Sequence, residues 1–427
     1  MFLNKSDKPQ SNPYNYRTIQ LINTIAKALE KLMNQELYIH ATTYQHINPE
    51  QAAYQFNKGC DDKIFQAAQF NIQAIQQRQI CSTIFMDVEK AFDKVQHNIL
   101  LHILITKHFP ARLIRFIASF LKNRSTQFII NSILSGTIDI LIGVPQGSCL
   151  SALLFIIFFA YIPTPEHLEQ DPTKCIGPHR KLNKPALVTQ FADDIKTLNA
   201  GAQITRLHKN LQATLNCIDK FIKQRGSKIN ATKTKELITT RKHIEKPIPQ
   251  LTFNGHPIAQ VPHARFLGII FDNKATFKNH INDVLGRAKH RTIKLKSTIR
   301  KTYGPSNKTA IRLYKVYNRS MYEYGKTGTI AASDILIKKL ETDQVQMARH
   351  ILGINFLSNK LTLELANLPS MRDRIDFLAA KWYNKVLQTN NQPILDFIEL
   401  DVYPSYTKDS PYHRIIKAHA KWFPDDQ

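Results

Sequence analysis

Two adjacent carboxylates, Asp193 and Asp194, lie in the stretch TQFADDIKTL, whose other residues are mostly apolar or small. Aspartate is a common turn residue, so the ordinary interpretation of such a pair is a solvated turn. A third acid, Asp87, stands near the end of the apolar run CSTIFMDV, which is typical of a β-strand. If the two strands are neighbours in one sheet, the three acids converge. Converging carboxylates repel one another unless a cation or a proton neutralises them.

A hard divalent cation is the compensation that suits this set of acids. Mg²⁺ prefers oxygen ligands, keeps several of its waters and is commonly shared with substrate phosphates. Two such ions about 3.5–4 Å apart stabilise both the attacking and the leaving oxygen of an in-line phosphoryl transfer. The acids therefore predict phosphoryl chemistry, which polymerases and nucleases both perform.

The overall charge of the chain indicates a polyanionic partner. The 427 residues include 58 Lys and Arg against 33 Asp and Glu, a formal net charge of +25. This excess favours nucleic acid first and an anionic membrane second, over a protein that is merely soluble and basic. With 43% hydrophobic residues, the chain is expected to fold rather than to form a disordered tail.

Cysteine usage and hydropathy indicate the cellular compartment and whether the chain enters a membrane. Five cysteines lie far apart without a C-x-x-C pair, which argues against a zinc finger or zinc knuckle. This scattered set and the lack of a secretory signal predict a reduced, intracellular protein, with nucleus and cytoplasm both open. The longest apolar run, LSALLFIIFFAYI (150–162), is shorter than the ~20 residues of a membrane-spanning helix. We predict a buried core helix there and no membrane partner.

The predicted elements place Asp87 at a strand end. Its strand is expected to pass directly into a helix, because Phe92, Val95, Ile99 and Ile103 follow helical spacing. An earlier helix is predicted within 19–37, from apolar residues at the same spacing. Side chains where a strand gives way to a helix can project into a cleft.

The centre of the chain predicts two hairpins separated by a loop and a helix. The first consists of two strands in 126–142 around Ser135-Gly136, and it leads into GVPQGSCLSALLF, a Gly-Pro-Gly loop before the buried helix. A polar, proline-bearing surface loop is predicted for 163–185. The second hairpin, ALVTQFADDIKTL, carries the aspartate pair at its bend.

The remaining elements are an amphipathic helix, short strands and a helical C-terminal part. The helix spans 207–222 and is expected to stop at Gly226, and a strand follows at 236–240. Two more β-type runs, QLTFNG and ARFLGIIFD, end near Asp272. Beyond them the periodicity is mostly helical, and 287–301 carries seven Lys or Arg and no acid.

Five segments together carry a family resemblance. FMDVEKAFDKV, GVPQGSCLSALLF, FADD, INATKTKEL and RFLGIIFD resemble, in order and spacing, the reverse transcriptases of non-LTR retrotransposons. KSDKPQSNPYNYRTIQLI is similar to the fingers motif of that family, and the part after Asp272 resembles the thumb and C-terminal region of the jockey-like elements of arthropods. The resemblance covers nearly the whole chain. It implies an α+β right-hand polymerase, with fingers and palm in 1–260, a thumb in 261–330 and a helical C-terminal region in 331–427.

The resemblance assigns roles at the acidic site. Asp87 and Asp193 would be the main metal ligands, with Asp194 beside them, for two Mg²⁺ ions or for Mn²⁺. Lys233 would approach the leaving pyrophosphate as an acid or a cation. Without the resemblance, Lys233 would be interpreted as a surface lysine.

The nucleotide site is implied in the same way. Phe92 falls at the aromatic position that blocks a ribose 2′-hydroxyl, although its helical spacing fits a core aromatic equally well. Gln146 and Gly147 would lie against the incoming nucleotide and the template. Arg17 would contact the triphosphate, and its alternative is a solvated surface charge.

Nucleic acid would be held by two further segments. The first is the FLG segment, which would hold the primer end and otherwise is an ordinary buried strand; its residues are Phe266, Leu267 and Gly268. The basic run 287–301 would follow the duplex backbone by charge, or else is a solvated helix face. Its candidate contacts are Arg287, Lys294, Lys296 and Arg300.

The sequence thus predicts an RNA-directed DNA polymerase that takes an RNA template, a DNA primer and deoxynucleoside triphosphates. Thr18-Ile19-Gln20 stands where the family usually has Pro-Ile-Ser, which keeps a catalytically weak, nucleic-acid-binding remnant as an alternative. A metal-dependent nuclease would explain the acids but gives no reason for GVPQGS or for Phe92. Complete elements also encode an upstream endonuclease that this sequence lacks, so we do not expect it to transpose alone.

Overall fold

A computed structural model of the chain describes residues 2–4, 16–18, 20–127, 129–130, 133–163, 187–244, 247–299, 304–399 and 410–424. Its strands are β1 (Phe2–Asn4), β2 (Tyr16–Thr18), β3 (Ile80–Asp87), β4 (Arg124–Thr126), β5 (Ile129–Ile130), β6 (Ile133–Leu134), β7 (Ile138–Ile140), β8 (Leu187–Phe191), β9 (Asp194–Gly201), β10 (Lys235–Thr239), β11 (Thr252–Phe253), β12 (His256–Pro257), β13 (Ala259–Gln260), β14 (His263–Phe266) and β15 (Ile269–Asp272).

The helices fill the rest of this α+β fold. They are α1 (Thr24–Thr43), α2 (Cys60–Gln76), α3 (His97–Thr106), α4 (Ala111–Leu121), α5 (Cys149–Phe158), α6 (Ile204–Gln224), α7 (Lys278–Thr298), α8 (Asn307–Tyr314), α9 (Ser320–Glu323), α10 (Lys326–Thr329), α11 (Asp334–Leu352), α12 (Asn359–Leu365), α13 (Met371–Gln388), α14 (Gln392–Glu399) and α15 (Pro411–Trp422). A π-helical turn, Lys315–Arg319, joins α8 to α9. None of the helices in the described ranges has the length and hydrophobicity that a membrane crossing requires.

A five-stranded sheet lies at the centre of the molecule. Its strand order is β13-β10-β3-β9-β8, and β3 pairs antiparallel with both β9 and β10. Seven of the eight residues of β3 are buried, as are the six inner residues of β9. Both strands are therefore covered on both faces, and β9 buries Lys196 and Asn199 beside its apolar residues.

Each face of the sheet packs against its own hydrophobic core. Ile84 and Ile195 point to one core, which contains residues of α1, α3, α4, α5 and α6. Phe85 and Leu198 point to the other core, which contains residues of α2, the β14–β15 hairpin, α7 and the C-terminal helices. The alternation follows from the two-residue period of a strand. The helical region after residue 331 therefore shares a core with the sheet, whereas the domain boundaries at 260 and 330 stay predictions.

Several elements form where the sequence predicts them. The hairpin of β8 and β9 places the aspartate pair at its bend, and α5 is the predicted buried helix. Helix α6 ends at Gln224, and Gly226 has a φ of +65°, a left-handed conformation that glycine adopts without strain. Strand β10 lies within one residue of its predicted position.

The prediction of a helix directly after Asp87 is wrong, because α3 begins only at His97. The intervening residues bond to a distant loop instead. The N–H of Val144 donates to the carbonyl of Phe92 at 2.9 Å, and the N–H of Gly143 donates to the carbonyl of Val95 at 2.8 Å. In a helix those carbonyls would accept the N–H groups four residues further on, and here the loop provides their partners instead.

Other boundaries shift for local reasons. Helix α1 begins at Thr24 rather than near residue 19, because the side chain of Asn23 accepts a hydrogen bond from the N–H of Ile25 as an N-cap. The first hairpin does not turn at Ser135-Gly136, since β5 pairs with β6 and the chain reverses between Ile130 and Ile133. The predicted loop 163–185 lies almost entirely outside the described residues.

Candidate active site

Strand pairing brings the three aspartates together. Asp87, the last residue of β3, is the antiparallel partner of Asp194, the first residue of β9. Asp193 precedes Asp194 in the turn between β8 and β9, and its carbonyl accepts the N–H of Val88 at 3.3 Å. Because β3 and β9 are adjacent and in this register, the acids meet where β3 ends and β9 begins.

The three carboxylates at this position are crowded like charges. Burial raises the pKa of Asp194 to about 7, with the negative charges of Asp193 and Asp87 adding to the rise and Lys233 opposing it. The pKa of an isolated aspartate is near 3.9. A carboxyl group held in this way favours either a proton or a bound cation.

Lys233 supplies one such cation. Its ammonium donates to Oδ2 of Asp87 at 2.5 Å, on a side chain that is 56% exposed. The segment that carries it is fixed to the end of β3, since the N–H of Glu89 donates to the carbonyl of Lys228 at 2.8 Å and the N–H of Asn230 donates to that of Asp87 at 2.9 Å. The predicted lysine thus lies directly against the predicted acids.

The acids fit a hard metal ion by their chemistry. Within the described residues no group of three His, Cys, Asp or Glu side chains is arranged closely enough to hold a metal ion. The available donors are nevertheless all carboxylate oxygens, the ligands that Mg²⁺ and Mn²⁺ prefer. Two signs indicate a demand for positive charge here: the raised pKa of Asp194 and the ammonium on Asp87.

A cavity of about 720 Å³ is lined in part by Tyr54, a residue that the charge of Asp193 influences. Its lining includes three of the four predicted nucleotide-site residues, Phe92, Gln146 and Gly147. The other lining residues are Asn34, Tyr38, Tyr54, Pro145, Ser148, Cys149, Ala152 and Leu153. Burial raises the pKa of Tyr54, and the charge of Asp193 raises it further, so the wall of the cavity lies within electrostatic reach of the acids.

Phe92 is both a packing residue and a wall of this cavity. Its ring stacks on Phe155 with centroids 4.8 Å apart and meets Tyr54 edge-on at 6.4 Å. Phe155 is fully buried and belongs to the core on that side of the sheet, whereas Phe92 is only partly buried against it. One face of the ring therefore packs on the core while the residue borders open space.

The Gly-Pro-Gly loop is held against the segment that carries Phe92. Nε2 of Gln146 donates to Oδ1 of Asp93 at 3.0 Å, and its carbonyl accepts the N–H of Gln20 at 2.8 Å. Gly143 approaches so closely that a Cβ there would lie 2.6 Å from the carbonyl oxygen of Asp93. Glycine is the residue that permits this approach.

The FLG segment forms a tight turn rather than a continuous strand. Phe266 pairs with Ile269 across β14 and β15, and the two residues between them, Leu267 and Gly268, have φ of +45° and +79°. Phe266 packs on Phe85 at 5.7 Å. Phe85 is two residues from Asp87 and so lies on the same face of the sheet, which places the turn on the acidic side.

The predicted cations of the thumb are placed in part. Lys294 and Lys296 are exposed on α7, and Arg287 bonds to Asp283 one turn earlier at 2.9 Å. Arg300 and the side chain of Arg17 lie outside the described part of the chain, although the backbone of Arg17 belongs to β2. Their roles stay predictions.

Two residues of the site carry no signal in the sequence. Tyr54 lines the cavity, and Gln51, which is 1% exposed, bonds to the backbone of Ala192 in the acidic turn. Both lie in the loop HINPEQAAYQF, which has no helical or strand periodicity. Their partners are far away in sequence, so only the folded chain identifies them.

Known proteins resemble this chain in sequence. The sequence model described as "Reverse transcriptase (RNA-dependent DNA polymerase)" matches residues 4–271. A probable RNA-directed DNA polymerase from transposon BS of Drosophila melanogaster is 27% identical over 69% of this chain and 32% of its own length. The RNA-directed DNA polymerase from mobile element jockey of the same species is 22% identical over 90% of this chain and 41% of its own.

The chain thus spans roughly a third to two-fifths of these relatives. A solved structure of apo telomerase from Candida tropicalis aligns with 87% of this chain and 61% of its own, at 9% identity and a TM-score of 0.39. The similarity to the jockey polymerase confirms the resemblance seen in the motifs, and the family match confirms the α+β polymerase class. The chain belongs to the reverse transcriptase family.

Proposed function

We propose that this chain is the RNA-directed DNA polymerase of a non-LTR retrotransposon, which adds deoxynucleotides to the 3′-hydroxyl of a primer on an RNA template. One observation carries the proposal: Asp87 and Asp194 face each other in register, with Asp193 in the adjoining turn and a cavity beside it. The volume of about 720 Å³ is within the usual range of small-ligand sites.

Asp87, Asp193 and Asp194 would hold the metal, as two Mg²⁺ ions or as Mn²⁺. Bound divalent ions supply positive charge where the phosphoryl oxygens become more negative during transfer. The raised pKa of Asp194 supports this assignment, since a buried carboxyl among like charges gains most from a nearby cation. Lys233, on the other side of Asp87, would neutralise or protonate the leaving pyrophosphate.

The remaining side chains would orient the substrates. Phe92 would border the sugar of the incoming nucleotide, and Gln146 and Gly147 would border its base and the template. Arg17 would contact the triphosphate. The turn 266–268 would hold the primer end, on the same face of the sheet as Asp87.

The proposed domains follow one another along the chain. Fingers and palm would occupy 1–260, the thumb 261–330 and a helical C-terminal region 331–427. The exposed lysines of α7 would contact the phosphates of the primer–template duplex. The partners would be an RNA template, a DNA primer and deoxynucleoside triphosphates, inside the cell and away from membranes.

Primer extension on matched RNA and DNA templates tests the proposal. The wild-type chain should extend the primer on RNA only when Mg²⁺ or Mn²⁺ is present. Asp193→Asn should abolish extension while leaving the affinity for primer–template nearly unchanged, because it removes the charge of a metal ligand and leaves every phosphate-binding cation in place.

The same assay separates the alternatives. Tight binding without extension by the wild type would support the inactive remnant. Metal-dependent shortening of either strand without extension would support a nuclease. Wild-type rates in Asp193→Asn would contradict the role given to the acids.

A further inference from the structure

We propose that Gln51 is a positioning residue for the acidic turn, which sets the place of Asp193 relative to the cavity. The proposal rests on the proposed function, because it concerns the geometry of the polymerase site. Gln51 lies in the loop between α1 and α2, within the residues that the family model matches but outside the segments that carry the resemblance.

The side chain of Gln51 holds both polar groups of one peptide residue. Its Oε1 accepts the N–H of Ala192 at 2.9 Å, and its Nε2 donates to the carbonyl of Ala192 at 3.4 Å. Gln51 is 1% exposed, so water does not compete for these groups. A buried carboxamide with both ends engaged fixes its partner in position and orientation.

Ala192 is a residue that needs such support. It stands immediately before Asp193 with a φ of +53°, a left-handed conformation that costs a non-glycine residue on the order of 1–3 kcal/mol. A strained backbone of this kind persists only where its surroundings enforce it. The pairing of Phe191 with Asp194 closes this two-residue turn, and the hydrogen bonds of Gln51 hold Ala192 within it.

The same oxygen connects the turn to the cavity. Oε1 of Gln51 also accepts the N–H of Ala53 at 3.0 Å, and the next residue, Tyr54, lines the cavity. One acceptor therefore fixes the acidic turn and the cavity wall to each other. Loss of Gln51 would release Asp193 from its place beside the bound nucleotide without removing any group that touches it.

Gln190 offers a matched control. It is 2% exposed and lies on β8 two residues before Ala192. Its carboxamide bonds to the carbonyl of Phe159 at 3.2 Å and to Nδ2 of Asn48 at 3.5 Å. Gln51→Met and Gln190→Met thus each remove a buried carboxamide at nearly constant volume, but only the first releases the turn.

The test compares these two variants with the wild type in three measurements. The first is kcat and KM of primer extension on RNA, the second is Mn²⁺ binding to the free protein by electron paramagnetic resonance, and the third is the melting temperature. Gln51→Met should lower kcat and Mn²⁺ affinity each about 10- to 100-fold, the range for residues that orient metal ligands, with KM for the primer–template unchanged. Gln190→Met should lower only the melting temperature.

The outcomes distinguish failure of the proposed function from failure of the role given to Gln51. A wild type without extension contradicts the proposed function, while the Mn²⁺ measurement still tests Gln51. If Gln51→Met and Gln190→Met give the same kcat and Mn²⁺ affinity, Gln51 is only structural. Should Gln51→Met not fold, Gln51→Asn replaces it, because it keeps a buried carboxamide that, one methylene shorter, cannot reach all three partners. Failure of both to fold beside a folded Gln190→Met also assigns a purely structural role.

Discussion

Phe92 packs on the core and also lines the cavity, where the proposed function makes it a barrier to the ribose 2′-hydroxyl. The sequence leaves a choice between a core aromatic and a barrier to the ribose 2′-hydroxyl. In the structure the ring stacks on the buried Phe155 and the residue also lines the cavity. The two roles are therefore compatible, and they differ in what a smaller side chain would change.

Phe92→Val should raise the ratio of ribonucleotide to deoxynucleotide incorporation, because the space that the ring fills becomes available to a 2′-hydroxyl. Overpacking a filled site costs about 1–3 kcal/mol, so the ratio could change by roughly 5- to 150-fold. Phe155→Val is the control, since it lies behind Phe92 and should lower the melting temperature alone. A lower melting temperature of Phe92→Val with an unchanged ratio would show that the ring only packs.

Helix α7 presents a basic face to solvent. Its exposed lysines include Lys289, Lys294 and Lys296, and its acidic residue Asp283, the partner of Arg287, lies near its start. The later turns of the helix therefore present several positive charges to solvent. Such a surface binds phosphates without regard to sequence.

Changing Lys294 and Lys296 together to Gln should weaken duplex binding and reduce the slope of log Kd against log salt by about 2, roughly one for each phosphate that the variant no longer neutralises. The slope is measured by fluorescence anisotropy over a series of salt concentrations. The control changes Lys338 and Lys339 to Gln, which are exposed on α11 and carry the same charge. Equal slopes in the two double variants would identify α7 as a solvated face.

The sequence predicts the elements whose determinants lie within a few residues, and it fails where the bonding partners are distant in sequence. The β8–β9 hairpin and α5 follow from alternation, turn chemistry and apolar runs within a few residues. The sequence misplaces the start of α3 because the carbonyls of Phe92 and Val95 bond to residues about fifty positions away. Gln51 gives no sequence signal for the same reason, since Ala192 lies 141 residues further along the chain.

Helix α2 connects the sheet to the C-terminal helices. This helix packs under the sheet, and its buried Asp62 accepts hydrogen bonds from Nε1 of Trp382 at 2.8 Å and from Nδ2 of Asn391 at 3.3 Å. Burial raises the pKa of Asp62, so the carboxylate depends on these donors. The C-terminal helices are therefore part of the support of the sheet.

Trp382→Phe should destabilise the entire molecule by about 1–3 kcal/mol, the usual cost when a buried acceptor loses its donor. Chemical denaturation followed by circular dichroism measures the effect, with polymerase activity recorded at each denaturant concentration. Trp422→Phe is the control, because Trp422 is 38% exposed. If activity persists after the C-terminal helices unfold, they do not support the site.

The ion pair of Lys233 with Asp87 bears on how the site is first assembled. A classical zinc finger does not fold without its metal, because metal binding supplies the free energy of folding. Here the chain brings its own counterion to the acidic edge, so β3 and β9 can pair before any metal arrives. If the acids hold metal ions as proposed, a newly made protein would fold before it binds them, and the ions would then displace the ammonium of Lys233 from Asp87.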